Sequence, residues 1–376
     1  MPAAQPIVIA YALAGVGHRR AAEALASALR AQAAADVHVV DILDYCPRWF
    51  RWLYPRAYNL CVQRLPALWA LSFLVTNWRW VERLAGSARR AANRRLAGRF
   101  LRWLGALQPS VVVSTHFFPA EVVAGWKGRV TVAPGAWVVV TDYWPHRWWV
   151  NAGTEHYFVG LPETHDELTR HGVDAAQVTV SGIPVDPQFY GAGDARALRA
   201  QLGVPPERFV LLVASGGVGM GPMVPLCQSL NHVPSHLAER LAVVAVAGAS
   251  RTVEARLRAW ASLAPFPVKV FGFTTQMHEL MAACDVVVTK PGGLTVTEAL
   301  VMGRPLLLFA PIWGQETGNA RLLTHHGSAM LLPRPHEAAQ VIARWLEHPE
   351  ELERLRARAS LGLRQPATEL IWSHRR

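Results

Sequence analysis

Cysteine is scarce: four in 376 residues (Cys46, Cys61, Cys227, Cys284), none in a Cys-x-x-Cys spacing. That excludes a disulfide framework and gives no zinc-site pattern, as expected of a protein in a reducing compartment. Long apolar runs are also missing. The best, Leu65 to Val75, covers 11 residues and contains Pro66, against roughly 20 needed to cross a bilayer. The opening residues, Met1 to Pro6, carry no basic stretch ahead of an apolar one, so no secretory signal is expected. Lysine is reduced to three residues, and acid is nearly missing from one long segment: between Pro47 and Trp103 there is Glu82 alone, against twelve arginines.

That imbalance accounts for the whole formal net charge of +11, leaving the remainder neutral. The same segment holds six tryptophans, Trp49, Trp52, Trp69, Trp78, Trp80 and Trp103. Arginine and tryptophan beside short apolar runs suit the headgroup layer of an anionic membrane, which the chain would touch without crossing. A solvated basic helix pair with tryptophans in the core is the plain alternative, and nucleic-acid binding a further one.

A length of 376 residues at 51% hydrophobic suffices for two α/β domains. The runs Ile7–Leu13, Val37–Asp41, Val111–Thr115, Trp137–Thr141 and His156–Val159 read as buried parallel strands, separated by helical stretches such as Arg19–Gln32 and Pro162–His171. The proline-bearing stretch Gly182–Phe189 reads as a hinge. Beyond it, Phe209–Ala214, Ala242–Ala247, Val268–Phe271, Val286–Thr289 and Leu306–Phe309 resume the alternation. Repeated βα units predict two doubly wound sheets, with ligands gathered at the C-terminal strand ends.

Three loops at such ends carry candidate chemistry. The first, Ala14-Gly15-Val16-Gly17-His18, opens a helix: Gly15 and Gly17 allow close approach to backbone amides. Asp41, ending the second strand, keeps a dinucleotide site open as a reading. His18 at the loop's mouth is placed as an exposed imidazole able to act as general base, with nearby amide dipoles expected to keep it neutral; a plain helix-start residue is the alternative for a lone histidine there. The second, Ser215 to Pro222, holds Gly216, Gly217, Gly219 and Gly221 and reads as a diphosphate cradle or a flexible turn; it lacks the terminal Lys-Ser/Thr of a P-loop, so ATP hydrolysis is not expected. The third runs from Lys290-Pro291-Gly292-Gly293-Leu294-Thr295-Val296-Thr297-Glu298 to Gln315-Glu316-Thr317-Gly318-Asn319. Glu298 is placed to accept from both hydroxyls of a ribose, and Gln315, Glu316 and Asn319 to match the vicinal hydroxyls of a hexose.

This third stretch closely resembles the donor-site signature of the monogalactosyldiacylglycerol synthase and processive diacylglycerol glucosyltransferase family, and is more remotely similar to the lipid-II-forming N-acetylglucosaminyltransferase. The likeness extends over nearly the whole chain, through the Gly-x-Gly-His loop, Thr141-Asp142-Tyr143 with His146 and Trp149, Ser181 to Pro184, the Ser-Gly-Gly loop and Phe271-Gly272-Phe273. The resemblance implies an α/β fold of GT-B type, two Rossmann-like doubly wound domains facing a central cleft. It implies an acceptor-binding, membrane-facing domain over residues 1–183, a UDP-sugar domain over 190–355, and a terminal helix, 356–376, packing back on the first.

Carried over by position, Phe273 would lie against uracil with the Thr274 backbone bonding the base, and Gly216, Gly217, Gly292, Gly293 and Thr295 would line the diphosphate. Glu298 would hold the ribose and Gln315, Glu316 and Asn319 the hexose. His18 would be the base, Asp142 its orienter or an alternative base, and His146, with Gly15 and Gly17, would lie on the acceptor side. The expected reaction is an inverting transfer of glucose or galactose from a UDP-hexose to a membrane lipid, foremost 1,2-diacylglycerol, at the inner face of the cell membrane. UDP-sugar would be a co-substrate, with neither metal nor other cofactor and no nucleic-acid partner. A UDP-N-acetylglucosamine 2-epimerase, a transferase acting on another lipid or natural product, and a catalytically silent membrane-docking protein are the rivals.

Overall fold

β-branched and apolar runs form strands, and every strand pairing is parallel, as βα alternation demands. The computed structural model describes residues 5–13, 15–33, 36–127, 129–130, 133–191, 193–217, 219, 221–359 and 365–374. Ala14, Val218 and Met220 of the glycine loops, and 360–364 and 375–376 of the terminal segment, lie outside the described residues.

The chain divides into two units: Met1–Pro187 with Ile312–Gly318 and Gln365–Arg376, and Gln188–Pro311 with Asn319–Arg364. The first runs β1 (Ile7–Tyr11), α1 (Val16–Ala33), β2 (Val37–Asp41), α2 (Arg48–Arg64), α3 (Pro66–Thr76), α4 (Arg79–Leu96), α5 (Gly98–Leu107), β3 (Val111–Ser114), α6 (Phe117–Lys127), β4 (Gly135–Val139), β5 (His156–Val159), α7 (Pro162–Arg170) and β6 (Val178–Val180). Its sheet order is β2-β1-β3-β4-β5-β6. The second runs α8 (Ala195–Gln201), β7 (Phe209–Ala214), α9 (Met223–Ser229), α10 (Ser235–Ala238), β8 (Leu241–Val246), α11 (Arg251–Ala261), β9 (Val268–Phe271), α12 (Met277–Ala283), β10 (Val286–Thr289), α13 (Gly293–Val301), β11 (Leu306–Leu308), α14 (Gln315–His325), β12 (Ala329–Leu331), α15 (Ala338–Glu347) and α16 (Pro349–Ala359), with sheet order β12-β11-β10-β7-β8-β9. A last helix, α17 (Ala367–Ser373), returns to the first unit.

Alternation along the strands fills both faces of the first sheet. Val8, Ala10 and Val112 pack with Phe100, Leu104, Phe118 and Val122 on one face. Ile7, Ile9, Val111 and Val113 pack with Leu25 and Leu29 of α1 and Ile371 of α17 on the other. The segment returning to the first unit thus starts at Gln365 rather than 356, because α16 stays with the second unit, where Leu352 joins its core. Strands β6 and β12, three-residue edge strands, are absent from the sequence reading; neither run is long enough to show a period.

The basic segment resolves into α2 to α5. Eleven of the eighteen large apolar side chains that stand exposed among the described residues lie between 49 and 84, among them Trp49, Trp52, Trp78 and Trp80, each more than half exposed. Trp103 is different: it packs beside Phe100 and Tyr45 at the rim of the core. Among the described residues no helix is long and apolar enough to cross a membrane.

Candidate functional site

Helix α1 begins at Val16, so Gly17 and His18 occupy its first turn and Gly15 the bend before it. His18 is half-buried rather than exposed. Its Nδ1–H donates to the Thr115 carbonyl at 2.9 Å, with the Thr141 hydroxyl 2.8 Å from the same nitrogen. The Thr115 hydroxyl donates back to the His18 carbonyl at 2.9 Å. A carbonyl can only accept, so the proton sits on Nδ1 and the lone pair on Nε2. Burial lowers the His18 pKa to about 4, partly opposed by the bond to Thr115. The imidazole is therefore neutral at pH 7, and desolvation rather than a helix dipole is the main cause.

A second imidazole, unremarked in the sequence reading, stands against the first. His116 meets His18 edge-on, ring centroids 4.5 Å apart, and its Nδ1 accepts the Phe118 N–H at 3.0 Å. Burial, then the neighbouring His18, hold it well below its ordinary pKa. The signal available was its position just past strand β3, two residues beyond Ser114.

Asp142 is half-buried three residues beyond β4. Thr115 and Thr141 orient the His18 ring from its Nδ1 side. Burial first, and the nearby Glu316 and Asp142 carboxylates next, push up the pKa of the Tyr58 hydroxyl of α2. His146 is buried with both ring nitrogens engaged: Nδ1 accepts the Trp148 N–H at 3.1 Å, and Nε2 lies 3.2 Å from both the Phe73 carbonyl and the Thr76 hydroxyl. It ties the loop after β4 to α3, which is a positioning task. Asp41 Oδ1 accepts the Leu43 N–H at 2.9 Å and the Leu13 N–H at 3.4 Å, tying the ends of β1 and β2 together.

In the second unit two glycine turns interlock. Gly216, at φ +68, opens the turn after β7, and the Gly217 carbonyl accepts the Ala249 N–H at 3.0 Å. A Cβ on Gly248 would lie 2.7 Å from that carbonyl, so only glycine fits there. Gly292 stands at the N-cap of α13 with no side-chain cap, so the amides of Gly293, Leu294 and Thr295 form an uncapped helix start. Glu298 lies buried one turn further on. Phe273, just past β9, is 55% exposed, and the Thr274 hydroxyl accepts the Gln276 N–H at 3.0 Å.

The trio read as one sugar-binding group is divided between the units. Asn319, fully buried, donates its side-chain amide to the Pro291 carbonyl at 3.0 Å, ordering the loop before α13. Glu316 accepts the Ile312 N–H at 2.8 Å; Glu316 and Gln315 both belong to the first unit. Among the described residues no three His, Cys, Asp or Glu side chains are grouped so as to hold a metal ion.

Two helix-flanked parallel sheets, each with glycine-bearing turns at its C-terminal strand ends, define an α/β protein of GT-B fold. A family model described as monogalactosyldiacylglycerol (MGDG) synthase matches residues 18–185, and one described as glycosyltransferase family 28 C-terminal domain matches 212–367. The chain is 31% identical over 377 residues to a probable monogalactosyldiacylglycerol synthase 2 of Oryza sativa subsp. japonica, covering 97% of this chain and 78% of that one. It is 29% identical over 250 residues to the processive diacylglycerol beta-glucosyltransferase of Bacillus subtilis, covering 66% and 64%. The solved structure of Anabaena HepE with UDP-glucose superposes with a TM-score of 0.57 at 16% identity, covering 98% and 99%. The chain belongs to the monogalactosyldiacylglycerol synthase family, among transferases rather than epimerases.

The buried histidines set a pH dependence of stability. An unfolded imidazole binds its proton near 6.5, whereas folded His146 does so at about 3 and folded His18 at about 4. Between these values the unfolded state holds more protons, so stability should fall as pH drops below about 6.5 and be insensitive to these groups above about 7. Urea midpoints from pH 8 to 5 should show this fall. His146→Gln should remove about one proton's share of the slope, ~1.4 kcal/mol per pH unit; an unchanged slope would remove His146 from the account.

Proposed function

We propose that the enzyme transfers a hexose from a UDP-hexose to the free hydroxyl of 1,2-diacylglycerol with inversion, His18 serving as general base. The observation that carries this is the neutral His18 with its proton fixed on Nδ1. The acceptor hydroxyl attacks C1 of the sugar, the bond from C1 to the diphosphate oxygen breaks, the acceptor proton passes to Nε2, and UDP departs from the opposite face to leave a β-glycoside. Exposed Phe273, buried Glu298 and the uncapped start of α13 supply stacking, ribose and diphosphate contacts of the kind a nucleotide-sugar donor needs, and a fold neighbour is known with UDP-glucose bound. Relatives named for galactosyl and for glucosyl transfer support a hexose, glucose or galactose, and a diacylglycerol acceptor. Mass spectrometry of lipid products, after incubation with diacylglycerol and each UDP-hexose in turn, tests the reaction; glycosylated lipid from neither donor would refute it.

An alcohol is a poor nucleophile until a base receives its proton, an effect of about 10²–10⁴-fold. His18→Ala should lower kcat by about that factor while leaving UDP affinity, assigned to the second unit, nearly intact. If His18→Ala keeps wild-type kcat and Asp142→Asn does not, the base is Asp142.

UDP would leave on backbone amides and a helix dipole, so turnover should persist in excess EDTA. Loss on chelation that Mg²⁺ or Mn²⁺ restores would overturn this part.

We infer a peripheral position on the cytoplasmic face of the cell membrane, through α2 to α4. Exposed Trp49, Trp52, Trp78 and Trp80 among arginines suit the interface between headgroups and acyl chains. Co-sedimentation with vesicles should rise with phosphatidylglycerol content and fall with salt; equal binding to neutral vesicles at high salt would reduce the contact to apolar insertion.

A further inference from the structure

We propose that His116 is an acceptor-binding residue, whose Nε2–H donates to an ester carbonyl of the lipid beside the hydroxyl that His18 deprotonates. This rests on the reading of His18 as base and of diacylglycerol as acceptor. His116 stands just before α6 and caps it: its carbonyl accepts the Ala120 N–H at 3.3 Å, and its Nδ1 accepts the Phe118 N–H at 3.0 Å. A ring nitrogen that accepts from an amide carries no proton, and burial keeps the ring neutral, so the proton sits on Nε2. The residue is 1% exposed, and among the described residues that N–H has no hydrogen-bond partner. A buried donor left unpaired costs about 1–3 kcal/mol. Capping α6 accounts for one ring nitrogen and leaves the other to a ligand.

The two imidazoles present opposite tautomers. His18 has its proton on Nδ1 and a lone pair on Nε2, whereas His116 has its lone pair on Nδ1, already used, and its proton on Nε2. Their centroids lie 4.5 Å apart, close enough for one small group to meet both. His116 is no second base, because neither of its nitrogens keeps a free lone pair. A molecule that satisfies the pair offers a hydroxyl to His18 and, a few bonds away, an oxygen that only accepts. In 1,2-diacylglycerol the free hydroxyl stands on the carbon next to one that bears an ester, and the ester carbonyl is such an oxygen. The rings of Phe117, Trp149 and Tyr54 lie around His116, with centroids at 4.2, 6.4 and 6.5 Å. A neutral donor among aromatic rings suits an uncharged ester, whereas an anionic phosphate would give up its hydration for one neutral N–H.

The test compares kcat/KM for 1,2-diacylglycerol with that for the matching 1,2-dialkylglycerol, in which ether oxygens replace the esters and no carbonyl remains. Both are presented to the full-length enzyme in vesicles of one composition, with the UDP-hexose that it transfers. Their ratio does not depend on how much of a variant is folded. The unmutated enzyme should favour the ester by about two- to tenfold, the factor that one net hydrogen bond represents. His116→Asn keeps an oxygen to accept the Phe118 N–H and removes the donor, so it should bring the ratio toward unity. His116→Gln, which carries an amide N–H near the place of Nε2, should keep more of the preference than His116→Asn. Inhibition by free UDP should be unchanged in both. Equal use of the two lipids by the unmutated enzyme, full preference in His116→Asn, or equal loss in both variants would overturn the proposal and leave His116 as the cap of α6. Loss of all turnover with both lipids in His116→Asn would overturn it too, since recognition of an ester cannot account for that. If the unmutated enzyme glycosylates neither lipid, the reading of the acceptor fails and this inference with it.

Discussion

The bond from His18 Nδ1 to the Thr115 carbonyl joins the C-terminal ends of neighbouring strands β1 and β3, and much of the first unit's chemistry follows from it. Parallel pairing sets Ile7 beside Val111 and Ala10 beside Ser114, and the Thr115 amide continues the ladder to the Ala10 carbonyl. That leaves the Thr115 carbonyl pointing past the last rung, where α1 begins. The ladder thus fixes the tautomer: a backbone acceptor cannot rotate or change protonation, so Nε2 keeps its lone pair whatever the neighbouring side chains do. Burial then holds the ring neutral, and the edge-on His116 packs it without adding a charge, being itself far below its ordinary pKa. A carboxylate in the place of Thr115 would raise the His18 pKa and cost the group its neutral form near pH 7.

The second unit solves a different problem with the same strand ends. On the proposed donor reading it would offer backbone amides at these ends to anionic oxygens. Glycine at 216, 219, 221 and 248 permits left-handed turns at φ between +64 and +95, and at 248 the approach to the Gly217 carbonyl leaves no room for a Cβ. Asn319 then closes the loop before α13 by bonding the Pro291 carbonyl, which positions the uncapped helix start. Rigidity here is bought with buried hydrogen bonds, because amides preorganised for an oxyanion need no rearrangement when charge develops.

Most strands and the three loops were legible because each has a local signature: β-branched runs, glycine at strand ends, and amides with carboxylates at helical spacing. What escaped the sequence is non-local. Nothing in Gln315 and Glu316 announces that they join the first unit while Asn319, four residues beyond Gln315, joins the second, since a contiguous motif looks like one body until its packing partners are known. His146 is placed on the acceptor side by the family resemblance alone; that its ring engages Phe73 and Thr76, some seventy residues earlier, is a non-local fact no motif announces. Tyr58 and His116 lay outside every motif. The exposure of Trp49, Trp52, Trp78 and Trp80 followed from composition, but Trp103 shows that composition does not separate an interfacial tryptophan from one at the rim of a core.

The same distinction revises the weight of the arginines. Twelve guanidiniums stand between Pro47 and Trp103, yet Arg89 and Arg90 are bound to Glu82. Arg89 also reaches Glu121, whose side chain is 1% exposed, and lies over the Trp148 ring at 4.8 Å. Arg89 fastens α4 to α6, and Arg90 is satisfied within α4. A charge satisfied within the fold contributes little to a headgroup, for which a surface arginine contributes about 1 kcal/mol. The attraction of this face for anionic lipid is therefore smaller than its formal charge suggests, and the apolar contribution correspondingly larger. A large apolar side chain taken fully out of water contributes roughly 1.5–3 kcal/mol, and eleven exposed tryptophans and leucines stand between residues 49 and 84. On the proposed membrane docking, charge would set which membrane is approached and orient the face, while tryptophan and leucine would determine how long the enzyme remains beside an acceptor held in the bilayer by its own acyl chains.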